Sequence, residues 1–246
     1  MKLNVLKQKF INSEYYYFHT EDGLLLCGDC KEILKIMDIT FDLVILDPNF
    51  EIWHEILNNI DFSKLIAKGY LLTFSRQPYT TEIMNCFSKT FRFADEIIWH
   101  DPQPIWVSNN LPLRVHENIL VFRKGNKKMN CFVGDINLNK EKKKGKTKIS
   151  SWSDNKERIY KPRSRKMITS LLTFPRNLKE KLGRWKKPEK LFETLISAYS
   201  NENEIVLDCF MGAGTTAIVC ENLNRKWIGI EANKEYCEII KERVFK

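Results

Sequence analysis

Residues 204–216 read EIVLDCFMGAGTT, and this stretch decides the fold. Its first part is a run of branched apolar residues, which is typical of a buried β-strand. The run ends at Asp208 and leads into a turn with Gly212 and Gly214, and residues 215–223 then have the composition of a helix. A strand, a glycine turn and a helix in this order predict a ligand site, because backbone N–H groups at the start of such a helix can face a bound molecule.

The glycine turn comes close to the dinucleotide fingerprint G-x-G-x-x-G, in which Ala217 stands at the third position and alanine is sometimes accepted. Two acidic residues distinguish this turn from the dinucleotide motif. Asp208 precedes the glycines, and Glu231 follows the next predicted strand. A pyrophosphate disfavours added negative charge, whereas a ligand with a cationic sulfonium tolerates it. The turn therefore favours S-adenosylmethionine, and a generic nucleotide turn is the alternative.

A second informative stretch, FDLVILDPNF, covers residues 41–50. Its apolar strand stops at Asp47 and Pro48, because proline cannot donate to a β-ladder. Active sites of open α/β sheets lie at such carboxyl ends. The Asp47 carboxylate and the Pro48 carbonyl can each accept a hydrogen of a conjugated base amine, so that its lone pair can attack a methyl carbon, and Phe50 can stack on an extruded base. The alternative is a plain turn with a solvent-facing aspartate.

The rest of the chain alternates predicted strands and helices. Apolar runs without polar alternation predict strands at residues 24–27, 41–46, 69–74, 91–99, 117–122, 204–209 and 226–230. Helical spacing predicts helices at residues 31–37, 52–66, 80–88, 188–200, 215–223 and 234–244. The pattern indicates a Rossmann-like α/β fold, with a mostly parallel twisted sheet and helices on both faces.

Charge and composition indicate a polyanionic partner and an insertion. The net charge is +9, from 40 Lys and Arg against 31 Asp and Glu, and each phosphate neutralised by a cation releases a counterion. Residues 124–148 are polar and include KEKKKGKTK at 140–148. We therefore predict a small inserted lobe at residues 125–184 between two parts of one domain, residues 1–124 and 185–246. The candidates for contacts with this partner are the basic runs at residues 140–148 and 156–166, with a solvated loop as the alternative for the lysine run. The arginines that could make such contacts are Arg158, Arg163, Arg165 and Arg176.

Several other features restrict the class of protein. The seven cysteines are scattered, which fits reduced thiols in a cytoplasm-like compartment. Cys27 and Cys30 form a CxxC pair with no second pair at suitable spacing, so we expect no metal site. No apolar run approaches the roughly 20 residues that span a bilayer, and a cytoplasmic location is expected. Trp99 and Trp106 could line a base pocket, but core packing is the favoured use.

These motifs resemble those of the amino-group DNA methyltransferases, which methylate adenine N6 or cytosine N4. The segment DCFMGAGTT resembles their cofactor motif, and DPNF resembles their catalytic motif (D/N/S)PP(Y/F/W). The catalytic motif comes first, as in the permuted β group of these enzymes. The resemblance runs from about residue 24 to 244, through CGDC at 27–30, LTFSRQPYTTEI at 72–83, RVHENILVF at 114–122, KPEKL at 187–191 and WIGIEANKEY at 227–236.

The resemblance implies a circularly permuted S-adenosylmethionine-dependent methyltransferase, encoded by a bacterium or a phage, that acts on double-stranded DNA. It implies that residues 125–184 recognise the target, and it leaves open a homodimer and a companion restriction endonuclease. The catalytic residues it implies are Asp47, Pro48, Asn49 and Phe50. The cofactor-binding residues it implies are Asp29, Cys30, Lys187, Asp208, Phe210, Gly212, Gly214, Thr215, Thr216 and Glu231.

The target amine is inferred from the first position of the catalytic motif. Asp47 there favours adenine N6, since serine is commoner in the cytosine N4 enzymes, and cytosine N4 is the alternative. The chain departs from the family where Asn49 replaces the usual second proline, which keeps open a weak or inactive DNA-binding relative. An RNA amine methyltransferase is a third candidate. A second departure precedes Lys187, where residues 183–188 read GRWKKP and family members often have HPTQKP.

Overall fold

The computed structural model describes residues 2–106, 109–135, 165–177 and 186–246. The strands in the described residues are β1 (Tyr16–His19), β2 (Gly23–Cys27), β3 (Leu43–Leu46), β4 (Gly69–Ser75), β5 (Arg92–Ile105), β6 (Arg114–Lys124), β7 (Phe132–Asp135), β8 (Arg165–Met167), β9 (Leu171–Thr173), β10 (Ile205–Asp208) and β11 (Lys226–Glu231). The helices there are α1 (Lys2–Phe10), α2 (Cys30–Ile36), α3 (Trp53–Asn59), α4 (Tyr79–Phe87), α5 (Glu189–Tyr199), α6 (Thr215–Asn222) and α7 (Lys234–Val244).

A nine-stranded sheet in the order β1-β2-β11-β10-β3-β4-β6-β5-β9 forms the centre of the described chain. Its middle strands β2, β11, β10, β3 and β4 are parallel. Every residue of β3, β4 and β10 is buried, as expected for parallel strands that are covered on both faces. The predicted α/β fold class is therefore confirmed.

Helices cover both faces of this sheet. Alternate residues of one strand enter different layers: Val44 and Leu46 pack with α1 to α4, whereas Leu43 and Ile45 pack with α5 to α7. This alternation follows from the two-residue period of a β-strand. Among the described residues, no helix has the length and apolarity of a membrane-spanning segment.

The chain reverses its winding between β10 and β3, which are neighbours in the sheet. From β3 the chain passes through α3 to β4 on one side, and from β10 it passes through α6 to β11 on the other. The loops that follow these two strands therefore diverge and leave a crevice at their carboxyl ends. Ligands of open α/β sheets bind at such a switch point.

Part of the predicted insertion belongs to the main sheet. Strand β9 pairs in parallel with β5 at the sheet edge, and β7 and β8 form a separate antiparallel ribbon. Residues 136–164 and 178–185 lie outside the described residues, together with the lysine run and the predicted DNA contacts Arg158 and Arg163. The three-part division at residues 125 and 184 stays a prediction.

Two local features differ from the prediction. The helix predicted at residues 52–66 ends at Asn59, because Asp61 accepts a hydrogen bond from the Ser63 N–H at 3.1 Å and starts a short 3-10 helix. The N-terminal helix α1 was not predicted, although its buried residues Leu3, Leu6 and Phe10 have helical spacing.

Candidate active site

The carboxyl ends of the five parallel strands meet at one edge of the sheet, which we call the active edge. Parallel pairing fixes this alignment, for example between Glu231 and Cys27 and between Leu46 and Thr73. The predicted catalytic and cofactor segments follow these strand ends: Asp29 and Cys30 after β2, Glu231 on β11, Asp208 on β10 and Asp47 after β3. The structure therefore brings together segments that are far apart in the sequence.

Asp208 organises the glycine turn from inside. Its Oδ1 accepts a hydrogen bond from the Phe210 N–H at 2.9 Å, and its Oδ2 accepts one from the Thr216 hydroxyl. The side chain is buried, and burial raises the pKa of Asp208 to about 7, against the lowering effect of these two hydrogen bonds. Asp208 is thus a buried carboxylate that ties the end of β10 to the start of α6.

Gly212 and Gly214 have different structural roles. Both have positive φ, +50° at Gly212 and +80° at Gly214, a region that glycine enters without steric cost. A Cβ on Gly214 would lie 2.9 Å from Cγ1 of Ile240, so this glycine allows α7 to pack closely. A Cβ on Gly212 would meet no atom nearer than the Phe210 carbonyl at 4.0 Å, so Gly212 leaves open space on its Cβ side.

Glu231 is joined to the same turn. Its Oε2 accepts the Gly212 N–H at 2.7 Å, and its Oε1 accepts the Asn233 N–H at 2.9 Å. Burial raises the pKa of Glu231, although these backbone N–H groups oppose the shift. Each carboxylate oxygen can accept more than one hydrogen bond, so both keep capacity for the hydroxyls of a ligand.

The other predicted cofactor residues lie around this turn. Asp29 caps α2 by accepting the Lys31 N–H at 2.8 Å. Burial raises the pKa of the Cys30 thiol to about 12, so this thiol is neutral. Phe210 packs half-buried against the core, and the Thr215 hydroxyl lies 3.4 Å from the Lys187 carbonyl and donates to it.

The charges at the active edge fit a cationic cofactor. After the larger effect of burial, the carboxylates of Asp47 and Glu231 both add to the raised pKa of Asp208, so each of them repels a negative charge on Asp208. A ligand with a sulfonium and an ammonium group relieves such repulsion, whereas a pyrophosphate increases it. The residues present therefore fit S-adenosylmethionine.

The predicted catalytic turn, residues 47–50, keeps a proline-like backbone at Asn49. Pro48 is buried, and Asn49 is exposed with φ −56° and ψ 130°. This φ lies within the range that a proline ring imposes. The Asn49 Oδ1 accepts the Glu51 N–H at 3.4 Å and caps the 3-10 helix Phe50–Ile52. Asparagine at this position thus reproduces the φ of the family's second proline and adds a cap.

Phe50 belongs to a small aromatic and cationic group at the active edge. Its ring stacks on Tyr79, with centroids 5.8 Å apart and an interplanar angle of 24°. The Arg76 guanidinium carbon lies 4.3 Å from the Phe50 ring centroid, a cation–π distance. Sequence reasoning did not single out Arg76 or Tyr79, although both lie in the segment LTFSRQPYTTEI that resembled the family.

Lys187 connects the catalytic turn to strand β6. Its Nζ lies 2.7 Å from Asp47 Oδ2 and 3.2 Å from Glu117 Oε2. Its Nζ also lies over the rings of Phe74 and Trp99, 4.6 Å and 5.6 Å from their centroids. The resemblance implied a cofactor contact for Lys187, and the structure places its ammonium beside the Asp47 carboxylate.

Asp47 and Lys187 respond differently to burial. Burial raises the pKa of Asp47, the Glu117 carboxylate adds to this increase, and Lys187 opposes it. Burial alone would lower the pKa of Lys187, but the two carboxylates outweigh it and the pKa is raised. One ammonium group is therefore shared by two carboxylates. Sequence reasoning did not predict Glu117 as a site residue, although it lies in the segment RVHENILVF at 114–122 that resembles the family.

Two predictions about surface residues are wrong. Arg176 was a candidate for DNA contacts, but it is buried and forms an ion pair with the buried Asp101. Core packing was favoured for both Trp99 and Trp106. Trp99 is buried as predicted, whereas Trp106 is 65% exposed. Long polar or aromatic side chains fit either environment, and single-sequence patterns do not separate the two.

Comparison with known proteins identifies the relatives of this chain. The family model N6_N4_Mtase, described as DNA methylase, matches residues 30–242. The type II methyltransferase M2.LlaDCHI of Lactococcus lactis subsp. cremoris is 32% identical over 289 residues, covering 100% of this chain and 98% of its own length. M.HpaI of Haemophilus parainfluenzae is 29% identical, covering 91% of this chain and 74% of its own length.

Solved structures show the same fold. The M1.HpyAVI–SAM complex has a TM-score of 0.63 at 26% identity, covering 90% of this chain and 98% of that one. The cytosine-N4-specific PvuII DNA methyltransferase has a TM-score of 0.67 at 18% identity, covering 94% and 89%, a likeness that concerns the fold alone.

Fold and site together define a Rossmann-like methyltransferase with S-adenosylmethionine as its cofactor. More narrowly, the chain belongs to the amino-group (N6/N4) DNA methyltransferase family, and its substrate is DNA.

Proposed function

We propose that this methyltransferase modifies the N6 amine of adenine in duplex DNA, on a base swung out of the helix. The observation that carries the proposal is the Asp47 carboxylate, which follows β3 at the switch point beside the glycine turn. Aspartate at the first position of the catalytic motif is commoner in the adenine enzymes of the family that this chain resembles. Extruding the base costs a few kcal/mol, which contacts with the protein must offset.

Asp47 and Pro48 supply the acceptors that the reaction needs. An exocyclic amine is a poor nucleophile while its lone pair is conjugated with the ring. Hydrogen bonds to the Asp47 carboxylate and the Pro48 carbonyl draw the amine hydrogens out of the ring plane and free the lone pair. The cofactor supplies a methyl group activated by its sulfonium. As the nitrogen forms its bond to the methyl carbon, the carbon–sulfur bond breaks, and the surplus amine proton passes to Asp47 and then to water.

The raised pKa of Asp47 supports this role. A carboxylate that is partly desolvated and faces Glu117 accepts a proton more readily than one in water. Lys187 opposes the increase through its ion pair with Asp47. Phe50 and Asn49 complete the catalytic turn, Phe50 as a stacking surface for the extruded base and Asn49 as the residue that fixes the backbone after Pro48.

The cofactor assignment uses the remaining residues of the active edge. Glu231 would accept hydrogen bonds from the ribose hydroxyls, and Asp29 and Cys30 would lie at the adenine. Gly212 and Gly214 would let the backbone approach the ligand, and Asp208 would face its cationic part. The remaining contacts are assigned to Phe210, Thr215, Thr216 and Lys187.

DNA recognition and cellular context are parts of the same proposal. Residues 125–184 would read the target sequence, and the net charge of +9 supports contact with phosphates. The relatives M2.LlaDCHI and M.HpaI are named type II methyltransferases, and this supports a cytoplasmic restriction–modification role with a companion endonuclease. A homodimer is a further expectation.

The test is expression in a host free of DNA methylation, followed by single-molecule sequencing and nucleoside analysis of the host DNA. N6-methyladenine at a defined sequence is the expected result. N4-methylcytosine would overturn the adenine assignment and keep the reaction class. Unmodified DNA from a protein that binds the cofactor would overturn the transfer itself.

Matched variants separate catalysis from folding in this test. Asp47→Ala should abolish methylation and keep cofactor binding. Asp38→Ala is the control, because Asp38 is an exposed aspartate on the amino side of β3. Methylation by the Asp47 variant at the parent rate would disprove the catalytic assignment.

A further inference from the structure

The hairpin of β5 and β6 projects past the active edge. Strand β6 runs antiparallel to β4, and Asn118 pairs with Ser75, the last residue of β4. Residues 114–117 of β6 therefore continue beyond the carboxyl end of β4, by about 13 Å at ~3.3 Å per residue. The last pair of the hairpin joins Ile105 to Arg114.

A wide bulge fixes the direction of this hairpin. The β5–β6 register shifts between His100 and Ile105, opposite a single residue of β6. Asp101, inside the bulge, accepts the Gln103 N–H at 3.0 Å and forms the buried ion pair with Arg176. Bulges re-aim strands next to active sites, and a buried, hydrogen-bonded charge pair makes this one rigid.

Large apolar side chains are exposed at the end of the hairpin. Trp106 is 65% exposed, Leu111 is 59% exposed and Leu113 is 53% exposed. Trp106 and Leu113 adjoin the last pair of the hairpin, Ile105 and Arg114, and are therefore near each other. Grouped exposed apolar residues mark contact surfaces more often than single ones do. We call these three residues the apolar tip.

Two arginines lie between the apolar tip and the catalytic turn. Arg76 lies over the Phe50 ring, and Arg114 is the first residue of β6. Burial and then the positive charge of Arg76 lower the pKa of Arg114, so the two guanidinium groups repel each other across this surface. A phosphate group would relieve this repulsion.

We propose that the apolar tip is a wedge that enters the base stack of duplex DNA next to the target base, while Arg76 and Arg114 hold the flanking phosphates. Proteins that unstack DNA insert apolar side chains between bases, and an aromatic ring replaces the stacking that an extruded base loses. The partner is DNA rather than a second protein copy because cations separate the apolar tip from the catalytic turn. The inference rests on the proposed extrusion of the target base, but not on which amine is methylated.

The test uses the holoenzyme and a duplex with the sequence found in the methylated host DNA. Single-turnover rates are measured on this duplex fully paired and with a mismatch opposite the target base, since a mismatch lowers the cost of extrusion. Trp106→Ala should reduce the rate on paired DNA by about tenfold, within the range measured for loss of base–aromatic stacking. For Trp106→Ala, the mismatch should restore most of the lost rate. Trp106→Phe should keep most of the parent rate on paired DNA.

Controls distinguish the wedge from a fold defect and from self-association. The double variant Leu111→Ala/Leu113→Ala should behave like Trp106→Ala, and Val5→Ala, which truncates an apolar residue 57% exposed on α1, should match the parent. Cofactor affinity, measured by calorimetry, should be the same in all variants.

Three results would overturn the wedge: a parent-like rate of Trp106→Ala on paired DNA, an equal loss on paired and mismatched DNA, or a change confined to dimer sedimentation. The identity of the methylated base decides the adenine proposal, whereas the ratio of rates decides the wedge. If the host DNA is unmodified, the affinities for paired and gapped duplexes, measured by fluorescence anisotropy, decide it. The quantity compared is then the ratio of the affinities for gapped and paired duplex. If this ratio is the same for the parent and for Trp106→Ala, the wedge is overturned.

Discussion

Lys187 Nζ lies 2.7 Å from Asp47 Oδ2, across 140 residues of sequence. The same ammonium group lies 3.2 Å from Glu117 Oε2. Two carboxylates thus share one cation in a site where Phe74 and Trp99 exclude much of the water. In such surroundings each member of the cluster changes the proton affinity of the others. The cluster therefore predicts opposite effects for the removal of its cation and of its second carboxylate.

Lys187→Met should shift methylation toward higher pH. Without the ammonium, burial and Glu117 raise the pKa of Asp47 further, so a higher pH is needed to ionise this acceptor. We expect the acid limb of the kcat–pH profile to move upward and kcat at pH 7 to fall about tenfold or more. Lys190→Met is the control, since the Lys190 side chain is 76% exposed and its Nζ lies 3.3 Å from Glu193 Oε2. An unmoved acid limb would show that Lys187 does not act on Asp47.

Glu117→Gln should have the opposite effect on the pH profile. The neutral amide removes the repulsion that helps to raise the pKa of Asp47, and the whole charge of Lys187 then acts on Asp47. The acid limb should move to lower pH, and the plateau of kcat should fall because Asp47 becomes a weaker base. Glu96→Gln, a neutralised exposed carboxylate on β5, controls for charge alone. A shift in the same direction as for Lys187→Met would contradict the shared-cation model.

Asn49→Pro should stabilise the catalytic turn. Asn49 already has φ −56°, so proline fits the native backbone and restricts only the unfolded chain. We expect the free energy of unfolding to rise by about 0.5 kcal/mol. The loss of the weak 3.4 Å hydrogen bond from the Glu51 N–H to the Asn49 side chain reduces this gain. Urea denaturation measures this change, with Asn49→Gly as the counterpart that should be less stable than the parent. A less stable proline variant would show that the turn needs the asparagine side chain.

The sequence was informative about the active edge because parallel strands align their carboxyl ends. Asp47, Asp208 and Glu231 each end or follow an unbroken apolar run, and a parallel sheet brings such ends together whatever their distance along the chain. The helices α5, α6 and α7 were predicted within about one residue for the same kind of reason, since their apolar spacing is regular.

The charge cluster and the apolar tip could not be predicted in this way. Contact between Lys187 and Asp47 depends on where the start of α5 lies relative to the end of β3, and local spacing does not encode that position. The two wrong predictions also concern tertiary structure. Arg176 is buried against Asp101 in the bulge of β5, and Trp106 is exposed directly after the end of β5. Neither environment follows from a local motif.

Asp208 gives the stability of the protein a pH dependence whose sign follows from its raised pKa. In the folded chain this pKa is raised to about 7 from its ordinary value of 3.8. The unfolded chain therefore loses the proton as the pH rises through about 4, and the folded chain keeps it until about 7. Over that interval the unfolded state binds fewer protons, so this group lowers the stability as pH increases, and its effect is constant above pH 7.

Asp208→Asn should remove this loss and weaken cofactor binding. The amide oxygen can accept the Phe210 N–H, and the Thr216 hydroxyl can turn to accept from the amide nitrogen, so both contacts of the turn survive. We expect the variant to gain on the order of 2–4 kcal/mol over the parent at pH 8 and little at pH 4. Denaturation at both pH values checks this, and calorimetry should show weaker cofactor binding. A gain that is equal at both pH values would mean that Asp208 is not the titrating group.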